Sequence, residues 1–341
     1  MKNTILKSKN KIEALARLGE FLKNPDEELI GLIESAKHYN AWFTTESARK
    51  AIDGIASMLN KNDLEKWLAN QPDNEEHSLK TVGLVLAGNI PLVGFHDILC
   101  VLVAGKKALI KLSSQDNKLI PYILNKLFEI EPAFAKQVEY IERLVQFDAV
   151  IATGSNNTSR YFEYYFKHVP HIIRKNRNSV AVLSGSESSE DLSKLGNDIF
   201  DYFGLGCRNV SKLYVPQDYN FKHFFESIEH FKPIADHHKY INNYDYNKSI
   251  YLVNQDEHLD NGFLLLKKDS RMASPLAVLY FEYYADRQEL SESLNEISDQ
   301  IQCVVSADSL NSSYVSFGES QQPKLWDYAD GVNTIDFLNK I

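Results

Sequence analysis

The sequence contains little cysteine, and its cysteines form no recognisable framework. Three cysteines lie far apart among 341 residues, with no Cys-x-x-Cys pair. An odd and scattered set argues against a disulfide framework and a structural zinc site, and it favours a reducing compartment. The ten histidines include no His-Glu-x-x-His pair, so we predict no metal site. We therefore expect a cytoplasmic protein.

Long hydrophobic runs are missing as well. The most apolar stretch, residues 84–105, is interrupted by Asn89, Pro91, His96 and Asp97, so no uncharged run of about 18 residues is left to cross a bilayer. The opening segment "MKNTILKSKNKIEAL" has neither a continuous apolar core nor a small-residue cleavage site. We expect no membrane span and no signal peptide.

The sequence also has no excess of positive charge. The 37 basic residues are outnumbered by 46 acidic ones, and the net charge of −9 argues against nucleic-acid binding. Hydrophobic residues make up 44% and charged residues 24%, which is typical of a globular protein. A chain of 341 residues is long enough for two domains.

Strand and helix patterns alternate from residue 80 onward, after a helical N-terminal region. "TVGLVLAG" predicts a buried strand, Pro91 suits the first position of a helix that ends at Gly105, and "KKALIKLSS" predicts the next strand. A strand, a helix and a strand in about thirty residues form a βαβ unit, which requires a parallel sheet with helices on its faces. We therefore predict an α/β fold.

The alternation continues to the end of the chain. Helices are predicted at 117–129, 158–166, 220–231, "SSEDLSKLGNDIFDYF" and "DRQELSESLNEIS", and strands at 148–153, 179–183, "SKLYVP", "SIYLVNQ", "GFLLLKK", "LAVLYFEYY" and "QCVVSA". The polar stretch "KNRN" marks the predicted domain boundary. We expect one domain at 1–177, a second at 178–315 and a tail at 316–341.

One cysteine has an unusual setting. Cys100 and Cys303 lie in apolar segments and are predicted to be buried. Cys207 instead follows "FGLG" and precedes Arg208. An open, cationic turn is where a thiolate can form and be reached, although a cysteine packed under a turn fits the local sequence equally well.

Polar residues follow several of the predicted strands. Asn89 either caps the next helix or donates a hydrogen bond to a developing oxyanion. Two further groups suit a phosphate or an ordinary strand end and helix start: Lys111, Ser113 and Ser114 after one strand, and Thr153, Gly154 and Ser155 after another. The segments "LAGNIP" and "IATGSNN" do not match the spacing of the G-x-G-x-x-G fingerprint or of a P-loop.

The order of these motifs resembles that of the aldehyde dehydrogenase superfamily. Within it, the chain is most similar to the acyl-CoA reductase branch typified by the fatty-aldehyde-forming reductases of bacterial bioluminescence, the LuxC family. The resemblance runs from residue 80 to the C-terminus and is carried by "AGNIPLVGFHDILCVLVAGKKALIKLSS", "ATGS", "YFGLGCRNVSKLYVP", "SPLAVLYF" and "VSFGESQQPKLWDYADGVNTIDFL".

The resemblance implies a Rossmann-type cofactor domain, which includes the N-terminal helices, followed by an α/β catalytic domain. It makes Cys207 the nucleophile and Asn89 the oxyanion-hole amide. It places Lys111 near the adenosine ribose, and Gly154 and Ser155 beside the dinucleotide phosphates. Ser113, Ser114 and Thr153 complete the expected cofactor-binding set.

Three departures from the superfamily pattern refine this expectation. Arg174 falls at the position of the glutamate that hydrolytic members use, so water attack on a thioester has no obvious activator. Ser114 replaces an acid that would repel a 2′-phosphate, which favours NADPH while leaving NADH possible. Arg271 replaces the glutamate that normally holds the nicotinamide ribose. Arg174 and Arg208 could lower the cysteine pKa, attract coenzyme A phosphates, or be ordinary surface arginines.

The resemblance thus implies an NAD(P)H-dependent acyl-CoA reductase. Cys207 would form an acyl-enzyme with coenzyme A as the leaving group, and the product would be an aldehyde. The alternatives are a subunit active only with an acyl-transferring partner, a non-catalytic binding protein of this fold, and an aldehyde-oxidising enzyme. The superfamily's habit of pairing subunits suggests a homo-oligomer.

Overall fold

The computed structural model describes residues 6–71, 80–307 and 314–341, and it divides into two compact units. The first unit contains Met1–Asn176 and Pro323–Ile341, and the second contains Arg177–Gln322. Residues 1–5, part of the segment assessed for a signal peptide, lie outside the described residues. Among the described helices, none is both long enough and apolar enough to cross a bilayer.

The first unit begins with four helices, and side chains cap the starts of the last three. They are α1 (Ser8–Lys23), α2 (Glu27–Ser35), α3 (Thr45–Met58) and α4 (Lys61–Leu68). Asp26, Thr44 and Asn60 precede α2, α3 and α4, and each accepts a main-chain N–H of the first turn. One face of α1 packs into the core, because Leu15, Leu18 and Leu22 are fully buried.

A parallel sheet follows in the first unit. Its strands in the described chain are β1 (Thr81–Val85), β2 (Lys107–Lys111), β3 (Val138–Tyr140), β4 (Ala149–Thr153) and β5 (His171–Arg174). They lie in the order β3-β2-β1-β4-β5, and the connecting helices are α5 (Phe95–Val103), α6 (Leu119–Ile130) and α7 (Asn156–Phe166). The chain moves from β1 to β2 on one side and later to β4 on the other, so the direction of strand addition reverses between β1 and β4.

The segment between β1 and α5 differs from the prediction. The helix begins at Phe95 and not at Pro91, because Leu92 has a left-handed backbone with φ 61° that a helix does not tolerate. The predicted end is confirmed, since α5 stops at Val103 and Gly105 follows with φ 68°. Asn89 therefore lies in an irregular loop and not at a helix cap.

The second unit contains a seven-stranded sheet in its described residues. The strands are β6 (Asn178–Val182), β7 (Val210–Pro216), β8 (Leu259–Asp260), β9 (Leu265–Lys268), β10 (Val278–Tyr284), β11 (Ile301–Val305) and β12 (Tyr314–Val315), in the order β12-β11-β6-β7-β10-β9-β8. All neighbours are parallel except β8 and β9. The helices are α8 (Ser189–Phe200), α9 (Phe221–Ser227), α10 (His238–Asn254) and α11 (Arg287–Glu296). With parallel sheets and connecting helices in both units, the predicted α/β class is confirmed.

The strand predicted at "SIYLVNQ" is wrong, because this segment is the second half of α10. Tyr240, Tyr244, Asn247 and Tyr251 are buried at intervals of three and four residues, which is the period of a helix. The Tyr240 hydroxyl donates to the main-chain oxygen of Phe263 at 3.1 Å. The segment had a strand-like pattern because most of the buried positions that reveal the helical period lie earlier in α10.

The C-terminal segment returns to the first unit and ends in α12 (Thr334–Asn339). Ile335 and Leu338 are fully buried. The indole N–H of Trp67 donates to the Tyr328 hydroxyl at 2.8 Å, and Lys106 Nζ donates to the main-chain oxygen of Ile341 at 3.0 Å. This segment is therefore part of the core of the first unit.

Candidate active site

The predicted site residues of the first unit lie at one edge of its sheet. Lys111 and Thr153 end β2 and β4, and Asn89 lies in the loop after β1. These three strands are direct neighbours and parallel, so their carboxyl ends meet on the same side. Ser113, Ser114, Gly154 and Ser155 follow within three residues of these strand ends. Ligands of open parallel sheets bind at this edge, where the strand order reverses.

Two buried side chains hold the loop that carries Asn89. The Asn40 amide donates to the main-chain oxygen of Gly88 at 3.2 Å, and the Leu92 main-chain N–H donates to Asp116 Oδ2 at 2.7 Å. Asn89 itself lies between these two anchors and is exposed. The sequence analysis missed both Asn40 and Asp116, because they lie 48 and 24 residues from their partners.

Asp116 is an acid in an apolar setting. Only 3% of its surface is exposed, and burial raises its pKa to about 6, against the opposing effect of the Leu92 N–H. The carboxyl group therefore changes charge in the range where many enzymes work. Its ionisation is linked to the conformation of the loop that it holds.

Gly88 is required by the close approach of two loops. A Cβ atom at this position would lie 2.4 Å from Ser113 Oγ and 2.8 Å from Ser113 Cβ. The loop after β1 and the loop after β2 therefore touch through a position that only glycine fits. The predicted oxyanion loop and part of the predicted cofactor segment form one packed assembly.

The chemistry of the predicted cofactor residues suits a dinucleotide. Lys111 and Ser114 are exposed, and they offer an ammonium and a hydroxyl. Ser155 caps α7, accepting the Thr158 N–H at 3.3 Å, so this turn presents the amino end of a helix. The acid within residues 111–118, Asp116, is buried and directed at Leu92. The ammonium, hydroxyl and main-chain N–H groups of this set can donate hydrogen bonds to phosphate and ribose oxygens.

Arg174 is part of a buried ion pair, which corrects the interpretation of this residue as an ordinary surface arginine. It is 4% exposed, and its guanidinium binds both carboxylate oxygens of Asp97 at 2.6 and 3.0 Å. It also donates to the main-chain oxygen of Ala329 and to the Thr334 hydroxyl. Burial alone would lower the pKa of Arg174, but the Asp97 carboxylate outweighs it and the pKa is raised. Arg174 is therefore not a surface arginine, and all three of its guanidinium nitrogens donate hydrogen bonds within the first unit.

In the second unit, Cys207 lies on a tight turn at the amino end of β7. The Asn209 main-chain N–H donates to the Gly206 oxygen at 3.1 Å, and the Gly206 N–H donates to Asn209 Oδ1 at 2.8 Å. The Ser179 hydroxyl donates to the main-chain oxygen of Cys207 at 3.0 Å. These bonds fix the backbone on both sides of the sulfur. Cys207 is half-buried.

A strained segment leads into this turn. Tyr202, Phe203 and Gly204 are consecutive left-handed residues, with φ of 52°, 60° and 78°. A left-handed conformation costs roughly 1–2 kcal/mol for a residue with a Cβ atom. The Phe203 ring packs against the His237 ring, with centroids 4.4 Å apart. The surrounding structure must stabilise the strained segment.

The other two cysteines are buried, as predicted. Burial raises the pKa of Cys100 well above its ordinary value and the pKa of Cys303 to about 11. The nearby Arg208 charge and a bond with the Ser179 hydroxyl lower the Cys303 pKa, but they do not outweigh its burial. Both thiols are therefore protonated at neutral pH, and Cys207 is the accessible one.

Arg271 is engaged with its own neighbour. Its guanidinium pairs with Asp269 at 2.5 Å and lies 5.1 Å from the centre of the Tyr280 ring. The hydrogen bond from Arg271 lowers the pKa of Asp269 to about 2, and the ion pair carries no net charge. Asn89 belongs to the first unit and Cys207 to the second.

Comparisons with known proteins give a family and a fold. A family model described as acyl-CoA reductase (LuxC) matches residues 9–227. Aldehyde dehydrogenase 21 of Physcomitrella patens, solved with succinate, is similar with a TM-score of 0.68 and 12% identity over 99% of this chain and 85% of that one. The indole-3-acetaldehyde dehydrogenase of P. syringae, solved with NAD+, gives 0.67 and 13% over 91% and 74%.

A third similar structure is an aldehyde dehydrogenase from Bacillus cereus in complex with NAD+. It has a TM-score of 0.60 and 12% identity, over 90% of this chain and 73% of that one. At these identities the likeness shows the fold, which is that of the aldehyde dehydrogenases. A search of curated proteins found no match.

Proposed function

Because this chain belongs to the acyl-CoA reductase (LuxC) family, we propose that it reduces an acyl-CoA thioester to an aldehyde through an acyl-enzyme on Cys207. The observation that carries the choice of residue is the setting of the three cysteines. Cys207 is half-buried on a fixed turn, whereas Cys100 and Cys303 are buried with raised pKa values. The protein is an oxidoreductase.

The first step is attack by the Cys207 sulfur on the thioester carbonyl carbon. A new carbon–sulfur bond forms, the electron pair moves to the carbonyl oxygen, and its return expels coenzyme A as the thiolate. The Asn89 amide is the proposed donor to the oxyanion, together with a main-chain N–H near Cys207. The main chain on either side of this amide is held at Gly88 and Leu92, which supports the proposal.

The second step releases the product. When bound, a nicotinamide cofactor would supply a hydride to the acyl carbon, which leaves the negative charge on the oxygen as a thiohemiacetal alkoxide. Re-formation of the carbonyl then breaks the carbon–sulfur bond, which frees the aldehyde and returns the Cys207 thiolate. The residues proposed to hold the cofactor are Lys111, Ser113, Ser114, Thr153, Gly154 and Ser155.

We favour NADPH over NADH because of the charges at this edge. Ser114 stands where an acid would repel a 2′-phosphate, and the neighbouring Asp116 is buried. Lys111 adds a positive charge nearby. The relatives solved with NAD+ make a nicotinamide dinucleotide the natural class of cofactor.

A hydrolytic, aldehyde-oxidising reaction is less well supported. Such a reaction needs a base to activate water against the thioester. The residue at the corresponding position, Arg174, is a cation whose donors bind Asp97, Ala329 and Thr334. Transfer of the acyl group between two thiols needs no water.

We propose that the first unit, residues 1–176 with 323–341, is the cofactor-binding part and that the second unit, residues 177–322, is the catalytic part. The sequence-based limits of 1–177 and 178–315 differ from these units mainly in where the C-terminal tail begins. A cytoplasmic location remains a proposal, and it rests on the few and scattered cysteines of the sequence. A homo-oligomer and an acyl-transferring partner protein remain proposals taken from the family resemblance.

The test is NADPH consumption by the purified protein over a panel of acyl-CoAs of different chain length. Wild-type protein is expected to consume NADPH and release free coenzyme A and aldehyde. The Cys207→Ala variant should be inactive, and the Cys303→Ala variant, as matched control, should keep activity. Full activity of Cys207→Ala would overturn the proposal. NADPH binding without turnover on any acyl-CoA would favour the partner-dependent alternative.

A further inference from the structure

The strained segment before Cys207 is held at both ends by one side chain. Asn209 Nδ2 donates to the main-chain oxygen of Asp201 at 2.8 Å, immediately before the segment. Asn209 Oδ1 accepts the N–H of Gly206 at 2.8 Å, at its end. Residues 202–206 therefore form a loop whose two ends meet at a single amide.

This amide is also tied to the preceding helix. Its Nδ2 lies 3.1 Å from the Asp198 oxygen and 3.4 Å from the Ile199 oxygen, so its two hydrogens are shared among the last carbonyls of α8. Asn209 is 3% exposed, so water cannot easily replace these bonds. An amide suits the position because it alone combines two donor hydrogens with an acceptor oxygen.

The end of α8, to which Asn209 donates its hydrogen bonds, is itself held in place. The Asp198 carboxylate accepts the main-chain N–H groups of Gly318 and Ser320 at 2.7 and 2.9 Å. Asp198 has no exposed surface. The amide thus connects the cysteine turn to a fixed point of the second unit.

We propose that Asn209 is a positioning residue for Cys207. By holding Gly206 against the end of α8, it keeps the left-handed segment closed and fixes the direction in which the Cys207 side chain leaves the backbone. The assignment of Cys207 as the nucleophile rests on the proposed function, whereas the geometric effect on the Cys207 thiol does not.

The first experiment measures the thiol directly. Alkylation of Cys207 by iodoacetamide is followed by peptide mass spectrometry between about pH 6 and 10, in wild-type protein and in Asn209→Ala. The variant is expected to show faster alkylation of Cys207, because the turn opens. The midpoint of the curve that relates alkylation rate to pH should also differ from that of the wild type. The control is Asn247→Ala, which also removes a buried amide that binds two main-chain oxygens, on α10. Its Cys207 profile should match the wild type.

The second readout is kinetic. Asn209→Ala should lower kcat by roughly 10- to 100-fold with little change in the KM for NADPH, as expected when a reacting atom is misplaced. Asn209→Asp keeps the acceptor for Gly206 but loses the donors to α8, so it should lower kcat similarly. A wild-type kcat in Asn209→Asp would overturn the proposal. So would an alkylation profile of Asn209→Ala that superimposes on that of wild type.

A third measurement uses the wild-type protein alone and holds even where a variant fails to fold. Hydrogen exchange should show a slowly exchanging Gly206 amide, although it lies in a loop. Rapid exchange of the Gly206 amide hydrogen would overturn the proposal that Asn209 holds this turn. The alkylation and exchange readouts do not depend on turnover, so an active Cys207→Ala would remove the proposed function and leave this test of Asn209 intact.

Discussion

The main-chain N–H of Leu92 donates to the Asp116 carboxylate at 2.7 Å, and this bond joins the loops after two neighbouring strands. Leu92 belongs to the loop that carries Asn89, and Asp116 follows Ser113 and Ser114. Together with the contact at Gly88, the bond couples the proposed oxyanion donor to the proposed cofactor segment. A change in the charge of Asp116 therefore acts on both.

The raised pKa of Asp116 predicts a specific pH dependence of stability. A buried acid whose folded pKa is about 6 favours the folded state fully below the ordinary value of 3.8, and this contribution is lost as the pH rises through 6. Asp116→Asn keeps an acceptor for Leu92 without the charge. The free energy of unfolding of the variant, relative to wild type, should therefore rise by up to roughly 3 kcal/mol between pH 4 and 7.

Urea unfolding at several pH values checks this, with Asp148→Asn as the control of opposite sign. The hydrogen bond from the Thr81 N–H lowers the pKa of Asp148, so its contribution is present at neutral pH and lost on acidification. That variant should lose stability relative to wild type as the pH rises, and by less, because its carboxylate is partly exposed. Equal slopes for the two variants would contradict the assignment.

The ion pair of Arg174 and Asp97 predicts a large effect of breaking it on one side. Arg174→Ala leaves a buried carboxylate without its cation, which should lower the free energy of unfolding by about 3–5 kcal/mol. Replacing both partners, as in Arg174→Met with Asp97→Leu, should recover part of the loss. Because Arg174 also binds Ala329 and Thr334, proteases should cut within residues 323–341 of the single variant first.

The pair of Arg271 and Asp269 provides the comparison for that experiment, because the Arg271 side chain is 64% exposed whereas that of Asp269 is 14% exposed. Arg271→Ala should lower the free energy of unfolding by less than Arg174→Ala does, because water can approach the Asp269 carboxylate from the side that Arg271 leaves open. Chemical denaturation of both single variants measures the difference. Similar losses would mean that burial does not set the strength of the Arg174 pair.

The close approach at Gly88 predicts that even a methyl group is harmful there. Gly88→Ala should lower stability by about 1–3 kcal/mol through overlap with Ser113, and it should weaken NADPH binding. Adding Ser113→Gly should restore part of the stability. Gly54→Ala is the control, since Gly54 lies within α3 with open space around it and alanine favours a helix. Melting temperatures of the four proteins decide the matter.

The three thiols should react in a fixed order. In the folded protein, Cys207 is expected to be alkylated first at neutral pH, and Cys100 and Cys303 only after unfolding, because burial blocks access and raises their pKa values. Peptide mass spectrometry of partly labelled protein gives the order. In urea all three should react at similar rates. Early labelling of Cys303 in folded protein would contradict the structure.

The sequence predicted the parts of the fold that local patterns determine. The apolar runs of β1 and β2 and the polar residues that follow them were sufficient to place Asn89 and Lys111 after neighbouring strands. "SIYLVNQ" failed because its burial depends on α10 as a whole, and Pro91 failed because Leu92 adopts a left-handed backbone that no local signal marks.

The support of the site could not be predicted from sequence, for a physical reason. Asp116 and Arg174 each look like a surface charge until the fold supplies Leu92 and Asp97 as partners. Asn209 stands two residues after Cys207, yet its contacts with α8 exist only once the intervening segment turns left-handed. Hydrogen bonds of this kind form only when folding brings the two partners together, and they produce no periodic pattern in the sequence.

The left-handed backbone of Tyr202 and Phe203 has a consequence for how this protein can be altered. Glycine or asparagine adopts that conformation at little cost in free energy. Tyr202→Gly would therefore relieve backbone strain, and it would also remove a bulky side chain. Variants that gain thermal stability at Tyr202 or Phe203 would do so by removing backbone strain from the segment that leads to Cys207. Stability and activity are therefore opposed at these two positions. Substitutions meant to raise the thermal stability of the protein should be sought elsewhere in the chain.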